Sequence, residues 1–148
     1  MNTQDLILSM EGDTARITLN RPGVKNALSM DLSEMRVDAV GKVKRSTAIK
    51  FVVFQGAGDT FCAGDDITEM MRWAEDENGE YTQGANGVMR RVRIYQDMAN
   101  AIEDLDKMTI SAVDGYAVGG GLEITMACDF VIATERAIWG MPEVDSGI

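Results

Sequence analysis

Histidine is absent from this 148-residue chain, and its absence narrows the chemistry that is open to the protein. A catalytic triad built on histidine is excluded, so any acid–base catalysis must use carboxylates, lysine, tyrosine or cysteine. The two cysteines, Cys62 and Cys128, have neither the spacing of a metal site nor the number that a disulfide framework needs. We therefore predict no metal site.

Long apolar runs are also missing. None approaches the roughly 18 residues that a membrane-spanning helix needs, and the N-terminus lacks the basic and apolar regions of a secretory signal. We therefore predict a cytoplasmic protein without a membrane partner. The 14 basic residues are outnumbered by 24 acidic ones, and the formal charge of −10 disfavours nucleic acid as a partner. Backbone dipoles can still bind an anionic ligand locally.

The order of predicted elements indicates the fold class. Hydrophobic residues make up 45% of the sequence, which is typical of a globular domain. Residues 6–8 and 15–19 are strand-like and flank a Gly-Asp turn, which predicts a β-hairpin. Helices and strands then alternate: a helix from Ser29 to Val43, a strand over 51–54, a helix over 88–105, a strand over 109–113, a helix after Gly121 and a strand over 129–133. This alternation predicts an α/β fold with layered sheets.

One segment interrupts this alternation. Residues 75–87 are polar and contain three glycines, which predicts a long surface loop. Trp73 and Tyr81 lie in or near this segment and are candidates for a lid over a ligand.

Two glycine-rich segments directly follow predicted strands, at residues 61–67 (FCAGDDI) and 114–123 (DGYAVGGGLE). Their small residues leave backbone N–H groups uncovered where a helix begins, and such donors can stabilise a negative oxygen that develops during a reaction. For each segment alone, a close-packed turn is the alternative interpretation. A nucleoside triphosphate site is not predicted, because no Gly-Lys-Ser/Thr follows Gly121.

Two glutamates near these segments are candidate acid–base groups. Glu123 lies just inside the helix after the triple glycine, and Glu143 follows Pro142. Both have apolar neighbours, which raise the pKa of a carboxyl, and two adjacent carboxylates can share a proton and act as acid and base. The alternative interpretation is that each is an ordinary acidic residue at a helix start. Local sequence does not decide between them.

Three segments together carry a family resemblance. NRPGVKNAL (20–28), FCAGDDITEM (61–70) and AVDGYAVGGGLEITMACDFVIAT (112–134), the last followed by Pro142-Glu143, resemble motifs of the crotonase (enoyl-CoA hydratase/isomerase) superfamily. The match runs through nearly the whole chain in the same order. It implies an α/β, crotonase-like spiral of ββα units with roughly perpendicular sheets. Residues 1–148 would form one core domain that ends before the family's C-terminal helical trimerisation region.

The resemblance implies an enoyl-CoA hydratase, which adds water across the C2–C3 double bond of an enoyl-CoA thioester. Glu123 would be the base and Glu143 the acid, and the backbone N–H groups of Asp65 and Gly120 would form the oxyanion hole. The residues that would line the substrate and its coenzyme A moiety are Lys25, Ala27, Ala63, Gly64, Asp66, Ile67 and Gly119. Coenzyme A is part of the substrate and no other cofactor is implied. The full-length protein would be a homotrimer or hexamer.

Two acidic residues depart from the family pattern. Asp65 stands where many members have a small apolar residue, so its side chain must point away from the oxyanion. Asp145 would be a third carboxylate near the site, which could indicate isomerase or hydrolase chemistry. An enoyl-CoA isomerase is therefore the nearest alternative, followed by another crotonase-type acyl-CoA enzyme such as a hydrolase. A catalytically silent acyl-CoA-binding or oligomerisation module is a further alternative.

Overall fold

A five-stranded sheet forms the centre of the structure, a computed structural model that describes residues 5–69 and 85–146. The strands of the described residues are β1 (Leu6–Glu11), β2 (Thr14–Leu19), β3 (Phe51–Gly56), β4 (Met108–Val113), β5 (Tyr116–Val118), β6 (Phe130–Ala133) and β7 (Ile138–Gly140). The central sheet has the order β1-β2-β3-β4-β6, in which β1 is antiparallel to β2 and the other pairs are parallel. The segments that follow β2, β3 and β4 therefore begin at the same edge of the sheet, which is where α/β proteins bind ligands.

A second, smaller sheet pairs β5 with β7 in parallel, with Val118 opposite Gly140. The α-helices whose two ends are described are α1 (Met30–Arg45), α2 (Ala85–Glu103), α3 (Gly120–Met126) and α4 (Glu143–Ser146), and residues 67–69 are also helical. Ser29 begins α1 by accepting a hydrogen bond from the Leu32 N–H on its side-chain oxygen at 3.1 Å. Within residues 5–69 and 85–146, no helix combines the length and apolar character needed to cross a membrane.

One hydrophobic core joins the central sheet to α1 and α2, which pack against each other. The largest fully buried apolar side chains of these elements are Ile17, Val52 and Val113 from the sheet, Leu32, Val40 and Val43 from α1, and Met98 and Ile102 from α2. The buried positions of α1 recur every three or four residues, as expected for a helix with one face in the core. Arg36 lies in the same stripe and is fully buried.

Most of the predicted elements are confirmed, namely the β-hairpin, α1, β3, β4 and β6. The start of α2 corrects one prediction: residues 85–87 belong to this helix, although they were assigned to the loop 75–87. The rest of that predicted loop, and the lid candidates Trp73 and Tyr81, lie outside the described residues. β5 and β7 were not predicted, because each is only three residues long and its pairing partner is distant in sequence.

Candidate active site

The segment that follows β3 is held between two other parts of the chain. On one side, Cys62 donates its N–H to Tyr116 O at 2.8 Å and accepts from Val118 N–H at 3.0 Å, so it extends the sheet of β5. On the other side, Leu28 N–H donates to Gly64 O at 2.8 Å. This double attachment fixes the backbone of Gly64 and of the residue after it, Asp65.

The segment that follows β5 makes a sharp turn at Gly119. This residue has φ 51° and ψ −124°, a conformation that glycine adopts readily and other residues rarely do. Its N–H donates to Gly140 O at 2.9 Å, which joins the turn to β7. α3 begins at the next residue, Gly120, whose N–H has no hydrogen-bond acceptor among residues 5–69 and 85–146.

The two glycine turns are in direct contact. A Cβ placed on Gly119 would lie 3.6 Å from Gly64 Cα, and one placed on Gly64 would lie 3.1 Å from Val118 O. The structure therefore brings the backbones of the two predicted oxyanion segments together, with no space for side chains between them.

The Glu143 side chain, on α4, reaches the contact between the two glycine turns. Its Oε1 occupies the space that a side chain on Gly119 would need, so a larger residue at this position would displace the carboxylate. Its Oε2 is buried and has no hydrogen-bond partner among the described residues. A buried acceptor without a protein partner is costly in a folded protein, so this oxygen is available to bind a ligand.

Glu123 is half-buried near Glu143, although 20 residues separate the two in sequence. Burial is the largest cause of a raised pKa at Glu123, and the negative charges of Glu143 and Asp65 raise it further. The positive charge of Arg36 opposes this effect in part. The structure thus brings together the two glutamates that local sequence could not place, and gives one of them a pKa shifted in the direction that acid–base catalysis near neutral pH needs.

Tyr95 and Arg36 also belong to this site, and sequence reasoning did not identify either as functional. The Tyr95 hydroxyl, from α2, donates a hydrogen bond to Asp65 Oδ1. The Arg36 guanidinium, from α1, lies 6.0 Å from the centre of the Tyr95 ring and donates to Ser33 Oγ at 2.9 Å. Tyr95 follows the apolar spacing of α2, so its place in the sequence indicates no more than a core residue. Arg36 had one visible signal, a charged residue in an otherwise apolar helical stripe.

The predicted substrate-lining residues border the same region in different ways. Lys25 is exposed, has φ 52°, and places its Nζ 5.0 Å from the centre of the Tyr116 ring. Ile67 is exposed, whereas Ala27 is buried. Lys25 O accepts a hydrogen bond from the Ala63 N–H at 3.0 Å, so the segment that follows β2 lies beside the segment that follows β3.

Asp66 has a structural function in addition to any contact with substrate. Its carboxylate pairs with Arg21 at 2.9 Å and accepts hydrogen bonds from the N–H groups of Thr68 and Glu69. Partial burial acts to raise the pKa of Asp66, but the hydrogen bond from Arg21 and those from the two N–H groups outweigh it, so the pKa lies below its usual value. Asp145, the possible third carboxylate, is exposed on α4.

An open cleft between α2 and α3 leads to Glu123. Its volume is about 810 Å³ when the solvent at its mouth is included, and its lining comprises Val92, Tyr95, Gln96, Ala99, Glu103, Glu123, Met126 and Ala127. Five of these eight side chains are apolar or aromatic, and the other three carry an amide or a carboxylate. The arrangement can hold a carbonyl at the glycine turns and a water between two carboxylates.

Comparison with known proteins relates this geometry to a family. The sequence model of the enoyl-CoA hydratase/isomerase family matches residues 10–148. The chain is 37% identical over its whole length to a short-chain-enoyl-CoA hydratase of Clostridium acetobutylicum and 38% identical to a crotonyl-CoA hydratase of Syntrophomonas wolfei. It covers 53% and 54% of those two proteins, so it spans about half the length of the curated relatives that it matches.

Solved structures agree with the sequence relatives. An enoyl-CoA hydratase/isomerase from Xanthobacter autotrophicus Py2 superposes with a TM-score of 0.88 at 31% identity, covering 97% of this chain and 51% of that one. An enoyl-CoA hydratase from Bacillus anthracis superposes with a TM-score of 0.86 at 29% identity, covering 98% of this chain and 53% of that one. The predicted crotonase-like α/β fold is confirmed by these superpositions.

Proposed function

This chain belongs to the enoyl-CoA hydratase/isomerase family, and from that premise we propose that it supplies the catalytic glutamates and the oxyanion hole of an enoyl-CoA hydratase. The relatives named as short-chain-enoyl-CoA and crotonyl-CoA hydratases support a substrate that is a short enoyl thioester of coenzyme A. Coenzyme A is part of that substrate, and the chemistry assigned to the site uses only protein groups.

The observation that carries the proposal is the position of the Glu143 carboxylate. This carboxylate lies against Gly119, the residue that precedes the predicted donor Gly120. It is also close enough to Glu123 to raise the pKa of that residue. Hydration needs two carboxyl groups at one reacting double bond, one to take a proton from water and one to give a proton to carbon. An isomerase needs only one such group to move a proton between two carbons, so the pair favours hydration.

In the proposed reaction the thioester oxygen accepts hydrogen bonds from the N–H groups of Asp65 and Gly120. The carbonyl is thereby polarised, and the negative charge that develops on its oxygen is stabilised. Glu123 takes a proton from water as the water oxygen bonds to C3, and Glu143 gives its proton to C2. The product gains one hydrogen and one hydroxyl group across the former double bond, and the two glutamates exchange protonation states.

The test is the loss of absorbance of the conjugated enoyl thioester when crotonyl-CoA meets the longest natural polypeptide that contains these 148 residues. We expect rapid loss with the unsubstituted protein. Glu123→Gln and Glu143→Gln should each lower kcat by about 10²-fold to 10⁴-fold, because each removes one proton-transfer group but retains its size. Glu11→Gln is the matched control, since Glu11 is exposed beside the β1–β2 turn, at the end of the sheet opposite to the site.

Three outcomes would contradict the proposal. A folded protein that binds coenzyme A but leaves crotonyl-CoA unchanged would exclude short-chain hydration. Movement of the double bond in a 3-enoyl-CoA, without hydration of crotonyl-CoA, would assign the site to an isomerase. Full activity in both glutamine variants would remove the two glutamates from the mechanism.

A further inference from the structure

We propose that Tyr95 is a positioning residue of the oxyanion hole, which holds the Asp65 carboxylate away from the thioester oxygen. This inference rests on the proposed function, in which the backbone N–H of Asp65 is one of the two donors. The difficulty that Tyr95 resolves is specific to this sequence. Asp65 carries a negative carboxylate on the same residue that donates the N–H. If this carboxylate turned toward the thioester oxygen, it would repel the negative charge that develops there.

The contacts of Tyr95 fit this task. Its hydroxyl donates a hydrogen bond to Asp65 Oδ1, so the carboxylate is directed toward α2. The edge of its ring faces the second donor segment, since a Cβ placed on Gly120 would lie 2.9 Å from Tyr95 Cε1. One side chain therefore contacts both residues whose N–H groups would form the hole, and it fixes the direction of the Asp65 side chain.

Arg36, on α1, also favours this orientation of the Asp65 carboxylate. It is fully buried, its guanidinium lies 6.0 Å from the Tyr95 ring centre, and its positive charge interacts favourably with Asp65. Its Nε and Nη1 have no hydrogen-bond partner among residues 5–69 and 85–146. A buried cation is costly, and the nearby carboxylate of Asp65 offsets part of that cost. The Asp65 carboxylate is thus stabilised in the orientation that the Tyr95 hydroxyl selects.

A purely structural function for Tyr95 gives a different expectation in a double-mutant cycle. If Tyr95 acts by controlling the Asp65 carboxylate, its hydroxyl is dispensable once that carboxylate is removed. If the hydroxyl only stabilises the packing of α2, its removal has the same effect whether or not residue 65 carries a carboxylate. The two cases therefore differ in whether the single effects add.

The kinetic experiment compares Tyr95→Phe in two backgrounds, using crotonyl-CoA. In the otherwise unsubstituted protein we expect kcat to fall by about 10-fold to 100-fold, because small displacements at a reacting centre cost this much. In the Asp65→Ala background, which retains the backbone N–H, the same substitution should change kcat by less than about threefold. An equal loss in both backgrounds would overturn the inference.

A spectroscopic experiment reports on the hole without needing turnover. An aryl-acryloyl thioester of coenzyme A absorbs at longer wavelength when its carbonyl is polarised. We expect a red shift on binding to the unsubstituted protein, a reduced shift with Tyr95→Phe, and recovery of the shift with Tyr95→Phe/Asp65→Ala. Asp97→Asn is the control for Asp65→Ala, because it also removes a negative charge but lies at an exposed position of α2.

The outcomes separate this inference from the proposed function. Binding of the thioester to the unsubstituted protein without a shift would overturn the oxyanion hole and the function of Tyr95 with it. A normal shift that persists in Tyr95→Phe would overturn only the function of Tyr95. Thermal denaturation of each variant shows whether it is folded, and a folded Tyr95→Phe protein with a reduced shift that Asp65→Ala restores would support the inference.

Discussion

Glu123 lies among three other charged side chains whose effects on its pKa partly cancel. Burial and the negative charges of Glu143 and Asp65 raise its pKa, and the buried Arg36 lowers it. The site therefore contains three carboxylates and one cation in a region from which water is partly excluded. A single positive charge cannot balance three negative ones, so protonation of one carboxyl is the natural way to reduce the repulsion.

The raised pKa of Glu123 also makes the stability of the protein depend on pH. The pKa of Glu123 is raised in the folded state above its ordinary value of 4.5, so the folded protein binds this proton more tightly than the unfolded chain does. Its contribution to stability is therefore complete below pH 4.5 and is lost as pH rises through the raised pKa. Glutamine does not ionise, so the Glu123→Gln protein does not lose this stability as pH rises. We therefore expect this variant to be more stable than the unsubstituted protein at pH 7.

Thermal denaturation of both proteins between pH 4 and pH 8 checks this prediction. We expect the difference in Tm to be largest at neutral pH and to shrink toward zero as the pH falls below 4.5. A glutamine variant that is less stable than the unsubstituted protein by the same amount at every pH would show that Glu123 makes a structural contact instead. A variant that is more stable and inactive would be a trade-off of stability for activity.

At the scale of elements, the position of α3 depends on a close backbone contact. Gly121 lies in the first turn of this helix, and a Cβ placed on it would come within 2.7 Å of both the Cβ and the backbone O of Cys62. Cys62 is fixed by its own hydrogen bonds to β5, so it cannot easily move away. The glycine allows α3, and with it Glu123, to approach the segment that contains Asp65.

We therefore expect Gly121→Ala to lower the free energy of unfolding by about 1–3 kcal/mol, because overpacking a fixed contact forces the backbone to shift. Gly41→Ala is the matched control in α1. Among the described residues, a Cβ there would come within 4 Å of Arg45 Nη1 alone, at 3.5 Å, which is an ordinary contact. This substitution should raise stability by about 0.4–1 kcal/mol, since alanine restricts the unfolded chain and favours the helix. Chemical denaturation measures both values, and equal effects of the two substitutions would contradict the packing argument.

At the scale of the whole molecule, the described residues leave a group of large apolar side chains exposed. Phe130 and Ile132 on β6 are 53% and 65% exposed, and Trp139 on β7 is 42% exposed. β6 is also an edge strand of the central sheet as described. Exposed apolar surface beside an open strand edge favours association, whereas a formal charge of −10 opposes it through repulsion.

The balance between these forces should depend on salt. We expect the 148-residue chain to associate more strongly as ionic strength rises from about 0.01 M to 1 M, because the screening length falls from about 30 Å to about 3 Å. Ile132→Lys should weaken this association, and Val24→Lys, at an exposed position outside both sheets, should leave it unchanged. Sedimentation equilibrium measures the mass of each protein. A chain that is monomeric at both salt concentrations would contradict the prediction.

Local sequence was sufficient for the elements that have a regular pattern. Ser29 and the apolar repeat of α1 predicted that helix, and the Gly-Asp turn predicted the hairpin, because capping and periodicity depend on neighbours within a few residues. The three motif segments added the crotonase-like fold, which the superpositions confirm. Trimer formation, a cytoplasmic location and the individual catalytic assignments stay predictions.

The site itself depends on contacts that no local pattern contains. Sequence identified Glu123, Glu143, Asp65 and Gly120 as residue types and segments, partly through the resemblance. Only the folded chain brings Glu143 against Gly119, turns the Tyr95 hydroxyl toward Asp65, and buries Arg36 beside both. The reason is physical: composition and periodicity depend on neighbours in the chain, whereas a shifted pKa and a directed hydrogen bond depend on neighbours in space, which here come from α1, α2, α3, α4 and the segment after β3.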